Sequence, residues 1–380
     1  MTAPRIHLTP RFTLESGEVL RDVRQAYVLE GALNQKRDNA VLVFHSLTGS
    51  PDTLGGWKGS VIGPGKAIDT NRWAVLCPNL LGSCYGTTFK RSLRKGERAD
   101  AQPAGTTRNQ AAFKDFLRRG GRSGAHPSVS TRDQARLIHL LIESLGISSL
   151  ALVTGGSLGG MVALEFVASF PERARAAAVF GAPVAHSAWA LGWSHVQRQA
   201  IEAAGPAAGL ALARMVGMLT YRSAEELEAR FARLPGEGAT FAVQSYLTHH
   251  GAKLLARFDV QSYLTLLDAM DAHDVGRGRG GAAAALRAFR GRLEAVGITS
   301  DALYPEAEVR RWARDAGAEL RTIVSPHGHD AFLLETGPVG TVLAEVLETR
   351  GAPEAGREAL SPEGAEEEAG QASSSSAAAP

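Results

Sequence analysis

The run from Leu150 to Phe166, LALVTGGSLGGMVALEF, constrains this chain more than any other stretch. A short apolar segment rich in strand-forming residues passes without a spacer into Gly155-Gly156-Ser157-Leu158-Gly159 and then directly into a helix-like segment. Such a junction leaves room for only a tight, strained turn, which lifts the serine hydroxyl clear of the backbone at a helix N-terminus. The helix dipole there favours developing negative charge. The five-residue Gly-x-Ser-x-Gly pattern alone is weak; its place between a strand and a helix makes Ser157 the candidate nucleophile.

The surrounding pattern supplies a sheet for that turn. Apolar runs at Ala40–Phe44, Trp73–Cys77, Leu150–Thr154 and Ala176–Phe180 alternate with helix-like segments such as Asp133–Leu145 and Leu158–Ser169. That alternation predicts an α/β core with a mostly parallel sheet covered on both faces. From about Ser187 to Leu286, segments such as GLALARMVGML and SAEELEARFARL give helical spacing and no strand run. The strand pattern returns at Leu293–Ile298 and Leu320–Val324, with an amphipathic helix over Glu306–Ala316 between them. The expected organisation is core at 1–186, inserted helical lid at 187–290, resumed core at 291–349 and a disordered tail at 350–380. The tail is rich in Ala, Glu, Ser and Gly and cannot bury enough apolar surface to offset its ordering entropy. Residues Phe89–Arg122, with ten basic and three acidic side chains, read as a surface loop.

Bulk properties narrow the chemistry. With 41 basic and 39 acidic side chains the formal charge is +2, so no global field recruits nucleic acid or an anionic membrane. The two cysteines, Cys77 and Cys84, fit neither a disulfide framework nor a zinc pattern and read as reduced thiols. No stretch approaches the roughly 20 apolar residues of a membrane span, and the N-terminus lacks a signal-like apolar core, so the expected location is cytoplasmic.

A serine hydroxyl needs a base, and in this architecture the chain order is nucleophile, then Asp or Glu, then His. Asp301 follows the strand-like EAVGITS, and His329 lies in SPHGHDAF after LRTIV; both are strand-end loops, where open α/β sheets carry their sites. His327 competes with His329 for the role of base, whereas His139 falls inside an apolar helix and His249 and His250 in the lid. An oxyanion would be held by the backbone N–H of Leu158, next to the nucleophile, and by that of Leu47 in the loop His45-Ser46-Leu47-Thr48-Gly49 after the first core strand.

Eight ordered segments, HSLTG, IGPGKAIDT, GGSLGGMVALEF, LTYRS, AVQSYLTHHGAKLLARFDVQSY, AHDVGRGRGG, GITSDALYP and GHDAFLLE, resemble the homoserine O-acetyltransferase family from about residue 10 to residue 345. The resemblance implies an α/β-hydrolase fold with a helical lid that forms a homodimer interface. It implies transfer of acetyl from the co-substrate acetyl-CoA to the hydroxyl of L-homoserine, at the entry to methionine synthesis, with no bound cofactor and no metal. Carried over by position, Ser157, Asp301 and His329 match the family's triad, His329 being the histidine followed by Asp. Arg214 in LARMVGMLTY and Asp330 in GHDAF match its amino-acid contacts, and HSLTG supports Leu47 in the oxyanion hole. The chain departs from the family where a GGCxGSTGP segment is usual: it reads Gly82-Ser83-Cys84-Tyr85-Gly86-Thr87-Thr88 and then FKRSLRK. Succinyl-CoA as donor, serine as acceptor and an esterase of the same fold are the alternatives.

Overall fold

The computed structural model describes residues 4–91, 128–236, 238 and 240–348. Its strands are β1 (Arg5–Thr13), β2 (Val19–Glu30), β3 (Ala40–Phe44), β4 (Ile62–Gly63), β5 (Ile68–Asp69), β6 (Ala74–Pro78), β7 (Thr88–Arg91), β8 (Leu150–Gly156), β9 (Ala176–Phe180), β10 (Arg292–Ile298) and β11 (Glu319–Ile323). The main sheet has the order β1-β2-β6-β3-β8-β9-β10-β11, with β7 pairing β2, while β4 and β5 pair with each other. From β6 to β11 every neighbouring pair is parallel; β1, β2 and β7 add an antiparallel edge.

The inner parallel strands β3, β6, β8 and β9 are buried at every position and carry almost no polar side chains, because both of their faces are covered. On β3, Ala40, Leu42 and Phe44 join one core cluster and Val41 and Val43 the other; β9 divides the same way, Ala177 and Val179 against Ala176, Ala178 and Phe180. One face carries α1 (Thr131–Ser144) and α2 (Leu158–Ser169), and the other the C-terminal helix of Thr336–Glu348, which contributes Val339, Val342, Leu343 and Val346. The N-terminal hairpin packs Phe12, Leu20 and Val23 against Leu137 of α1.

Between β9 and β10 the chain forms α3 (Ala188–Ala204), α4 (Pro206–Tyr221), α5 (Ala224–Phe231), α6 (Ala242–Leu255), α7 (Val260–Asp271) and α8 (Ala282–Arg287). The sequence shows why the helices start where they do. Ser223 caps α5 by accepting from the Glu226 N–H at 2.9 Å, and Asp259 caps α7 by accepting from Ser262 at 2.8 Å. After β10 come α9 (Glu306–Ala316), the short α10 (Ala331–Leu334) and α11 (Thr336–Glu348). Among the described residues no helix is long and apolar enough to cross a membrane.

One expectation is corrected, and one region left without an element is filled. The N-terminal residues 5–30, assigned no element from the sequence, form the β1–β2 hairpin. Residues 89–91, read as part of a basic surface loop, belong to β7, with Lys90 opposite Arg21 and Arg91 opposite Leu20. Backbone pairing with β2, rather than side-chain pattern, makes this segment a strand. The rest of that loop, from 92 to 122, and the tail at 350–380 lie outside the described residues.

Candidate active site

Ser157 sits between the last residue of β8 and the first of α2 with φ +57° and ψ −128°, a region non-glycine residues rarely enter. Holding it there costs on the order of 1–3 kcal/mol, so the surroundings must over-determine the turn. Its N–H donates to the Phe180 carbonyl at 3.0 Å, and its carbonyl accepts from Met161 at 3.0 Å. Four glycines let the backbones close around it. A Cβ on Gly155 would lie 2.7 Å from Gly159 C, and one on Gly159 would lie 2.4 Å from the Phe44 carbonyl oxygen. One on Gly156 would meet the Phe332 ring at 2.3 Å, and one on Gly160 the Ala182 Cβ at 2.6 Å. The motif is thus a packing requirement as much as a turn requirement.

The loops after β10 and β11 bring a carboxylate and an imidazole together. Asp301 Oδ1 accepts from the N–H groups of Leu303 and Tyr304, both at 2.9 Å, which leaves Oδ2 to accept from His329 Nδ1 at 2.7 Å. The two loops are joined by hydroxyls. Ser300 Oγ donates to the Ser325 carbonyl at 2.5 Å and accepts from Gly328 N at 2.9 Å, and Thr299 Oγ1 accepts from Ser325 N at 3.2 Å. With Nδ1–H committed to Asp301, the other ring nitrogen, Nε2, is the basic one; it is buried and has no hydrogen-bond partner among the described residues. Ser157 and His329 line the same cavity of about 370 Å³. Burial pushes the His329 pKa down, but the charge and hydrogen bond of Asp301, helped by Asp330, outweigh it, and the net shift is upward from 6.5. The ring is enclosed by Tyr304, Phe332 and Tyr221, with centroids 5.2, 5.5 and 6.0 Å away. His327, the competing histidine, points instead toward Glu226 at 3.5 Å and Glu335 at 3.9 Å.

The loop after β3 carries Leu47, which lines the same cavity as Ser157. Neither the N–H of Leu47 nor that of Leu158, the first residue of α2, reaches an acceptor among the described residues. Backbone donors without partners beside a strained serine are what a tetrahedral oxyanion requires. Cys84, next in the chain to the cavity-lining Tyr85, is a poor nucleophile because burial pushes its thiol pKa up.

Arg214, near the middle of α4, and Asp330, beside the base, line the same cavity. The Arg214 guanidinium lies 5.3 Å from the centroid of the Tyr221 ring. Asp330 has a partner the sequence reading missed: its Oδ2 is 3.3 Å from Arg222 Nη2, and Arg222 Nη1 donates to both oxygens of Glu226 at 2.9 and 3.2 Å. The three groups carry one net negative charge. Burial raises the Asp330 pKa from 3.8, against the opposing pull of Arg222, His329 and Arg214. No group of three or more His, Cys, Asp or Glu side chains that could hold a metal ion occurs among the described residues.

The fold and site have counterparts. The family model for the α/β hydrolase fold matches residues 39–336. A homoserine O-acetyltransferase of Thermobifida fusca is 39% identical over 373 residues, covering 90% of this chain and 93% of that protein. The chain belongs to the homoserine O-acetyltransferase family. A solved homoserine O-acetyltransferase from Staphylococcus aureus is similar at TM-score 0.72 and 27% identity, covering 92% of this chain and 96% of that one. The esterase E22 structure matches at TM-score 0.75 with 20% identity, covering 92% and 100%, and so shares the fold alone.

Within the family frame, the segment that departs from the usual glycine-rich pattern contributes directly to the cavity. Tyr85 lines it, and its hydroxyl accepts from Arg257 Nη1 at 2.7 Å. The same nitrogen donates to the Thr48 carbonyl at 2.7 Å, tying the loop after α6 to the loop that bears Leu47. Arg222 and Arg257 both fall inside segments that carry the family resemblance, LTYRS and LLARFD. Spacing alone could single out neither, because Arg222 with Glu226 reads as an ordinary i,i+4 surface pair.

Proposed function

We propose that this protein moves an acetyl group from acetyl-CoA to the hydroxyl of L-homoserine through an acyl-enzyme on Ser157. The observation that carries this reading is the unpartnered Nε2 of His329, backed by Asp301 and lining one cavity with a strained serine. His329 takes the Ser157 proton as Oγ attacks the thioester carbon, and the N–H groups of Leu47 and Leu158 hold the oxyanion. Collapse expels the coenzyme A thiolate, which takes the proton from His329. Homoserine then enters, its hydroxyl gives its proton to His329 and attacks the acyl carbon, and Ser157 recovers the proton as O-acetylhomoserine leaves. The cycle is ping-pong, and residues of the chain alone move its protons.

Homoserine is a zwitterion, and Arg214 and Asp330 supply the two complementary charges. A guanidinium fork suits the carboxylate. The net negative charge of the Asp330, Arg222 and Glu226 group suits the ammonium. In this reading the helices of 187–290 act as a lid and pair with a second copy, and the product feeds methionine synthesis in the cytoplasm. Assaying homoserine or serine against acetyl-CoA or succinyl-CoA, with products identified by mass, tests the assignment. O-acetylhomoserine should dominate; free acetate as the main product would make the protein an esterase.

A further inference from the structure

His45 stands behind the oxyanion loop, fully buried and outside the triad. Two contacts fix its chemistry. The N–H of Leu80 donates to Nε2 at 3.2 Å, so Nε2 carries a lone pair; Nδ1 lies 2.9 Å from the Ser46 carbonyl, which can only accept, so Nδ1 carries the proton. Both bonds hold together only in the neutral Nδ1–H tautomer, and burial, by lowering its pKa, keeps the ring neutral.

The Ser46 carbonyl belongs to the same peptide unit as the Leu47 N–H. A trans peptide points these two groups in opposite directions, so whatever holds the carbonyl aims the N–H. That carbonyl also accepts from Gly49 N at 2.9 Å, and a Cβ on Gly49 would lie 2.9 Å from the His45 Cβ, so the loop turns back tightly against the base of the His45 side chain. Donors on a carbonyl also polarise its amide and strengthen the N–H as a donor. We infer that His45 is a positioning residue for acyl transfer, its Nδ1–H orienting the Ser46–Leu47 peptide so that the Leu47 N–H faces the cavity. The inference rests on the acyl-enzyme reading above.

The two nitrogens can be separated by substitution. An asparagine amide nitrogen occupies roughly the place of Nδ1, whereas a glutamine amide oxygen occupies roughly that of Nε2. Single-turnover acetylation by acetyl-CoA and melting temperature are measured for wild type, His45→Asn and His45→Gln. His45→Gln should lower the acetylation rate constant about tenfold to a hundredfold with the acetyl-CoA KM unchanged, short of the roughly 10²–10³ loss for removing an oxyanion donor outright. His45→Asn should recover most of that rate. A buried residue of merely structural worth would shift melting temperature and leave the two variants equal in rate. Equal rates for the two in an enzyme that acetylates would overturn the inference alone; a wild type that never acetylates would overturn the acyl-transfer reading and this inference with it. If neither variant folds, ¹⁵N NMR of the wild-type imidazole decides. A protonated Nδ1 with a bare Nε2 supports the assignment, and the reverse tautomer or an imidazolium contradicts it.

Discussion

The two ends of the cavity are built from different materials. Around Ser157 the work is done by backbone: strand ends, four glycines with no room for a methyl group, and N–H groups that reach no acceptor among the described residues. Around Arg214 and Asp330 it is done by charged side chains, one carried by α4 and one beside the base, with Arg222 holding the carboxylate in place. A backbone-built end is rigid and generic to the fold; a side-chain-built end can change specificity without disturbing the chemistry. The nucleophile end should therefore fail as a unit, and the acceptor end should fail only for the amino acid.

The largest effect should come from the relay. Asp301→Asn keeps the shape but lets the amide donate to His329, favouring the wrong tautomer, and should lower kcat by about 10⁴-fold, measured by steady-state kinetics on folded protein. A loss below about tenfold would remove Asp301 from the mechanism.

Next in size is the acceptor end. Arg214→Ala should reduce kcat/KM for homoserine by about 2–5 kcal/mol, the range for truncating one member of a desolvated charge pair, while acetylation of Ser157 proceeds. Blocked acetylation with unchanged homoserine KM would erase the distinction between the two ends.

Smaller still is the packing contrast between Gly159 at the elbow and Gly192 in α3. Gly159→Ala places a methyl group 2.4 Å from the Phe44 oxygen and should cost about 1–3 kcal/mol or more in denaturant unfolding. Gly192 in α3 has nothing within 4 Å of a built Cβ, so Gly192→Ala should leave stability unchanged or raise it by up to about 1 kcal/mol. Equal losses at both sites would contradict the picture of a tight elbow and an open position at Gly192.

The smallest effect is on pH dependence. Because the His329 pKa is raised in the fold, its ion pair with Asp301 adds stability that is fully present below the ordinary 6.5 and is lost as pH rises through the raised value. Activity should run the other way, since only neutral His329 can take the serine proton. The acetylation rate should climb with pH through a value above 6.5. A rate already flat below 6.5 would contradict the direction of the shift.

The same contrast decides what the sequence could tell. β3 and β9 span Ala40–Phe44 and Ala176–Phe180, and α2 spans Leu158–Ser169, all as read from the residues, because strands buried on both faces leave an unbroken apolar run. The N-terminal hairpin was illegible because β1 is mostly exposed and its polar residues imitate a loop. β7 was hidden for a similar reason: cross-strand backbone bonds impose no residue type. At the site, the glycines around Ser157 announce the elbow, since only a missing side chain fits there. Arg222 and Arg257 could not be ranked, because their partners, Asp330 and the Thr48 carbonyl, are remote in the chain. His45 lacked a visible role because its tautomer is fixed only once Leu80, in the loop after β6, donates to its Nε2.

Whether Ser157 carries an acyl group at the backbone-built end is decided by intact mass after mixing the protein with acetyl-CoA and no acceptor. One added acetyl group should appear, mapped to Ser157, absent from Ser157→Ala, and released by homoserine as O-acetylhomoserine. Label on Cys84, or full turnover by a protein that never carries the acetyl group, would contradict it.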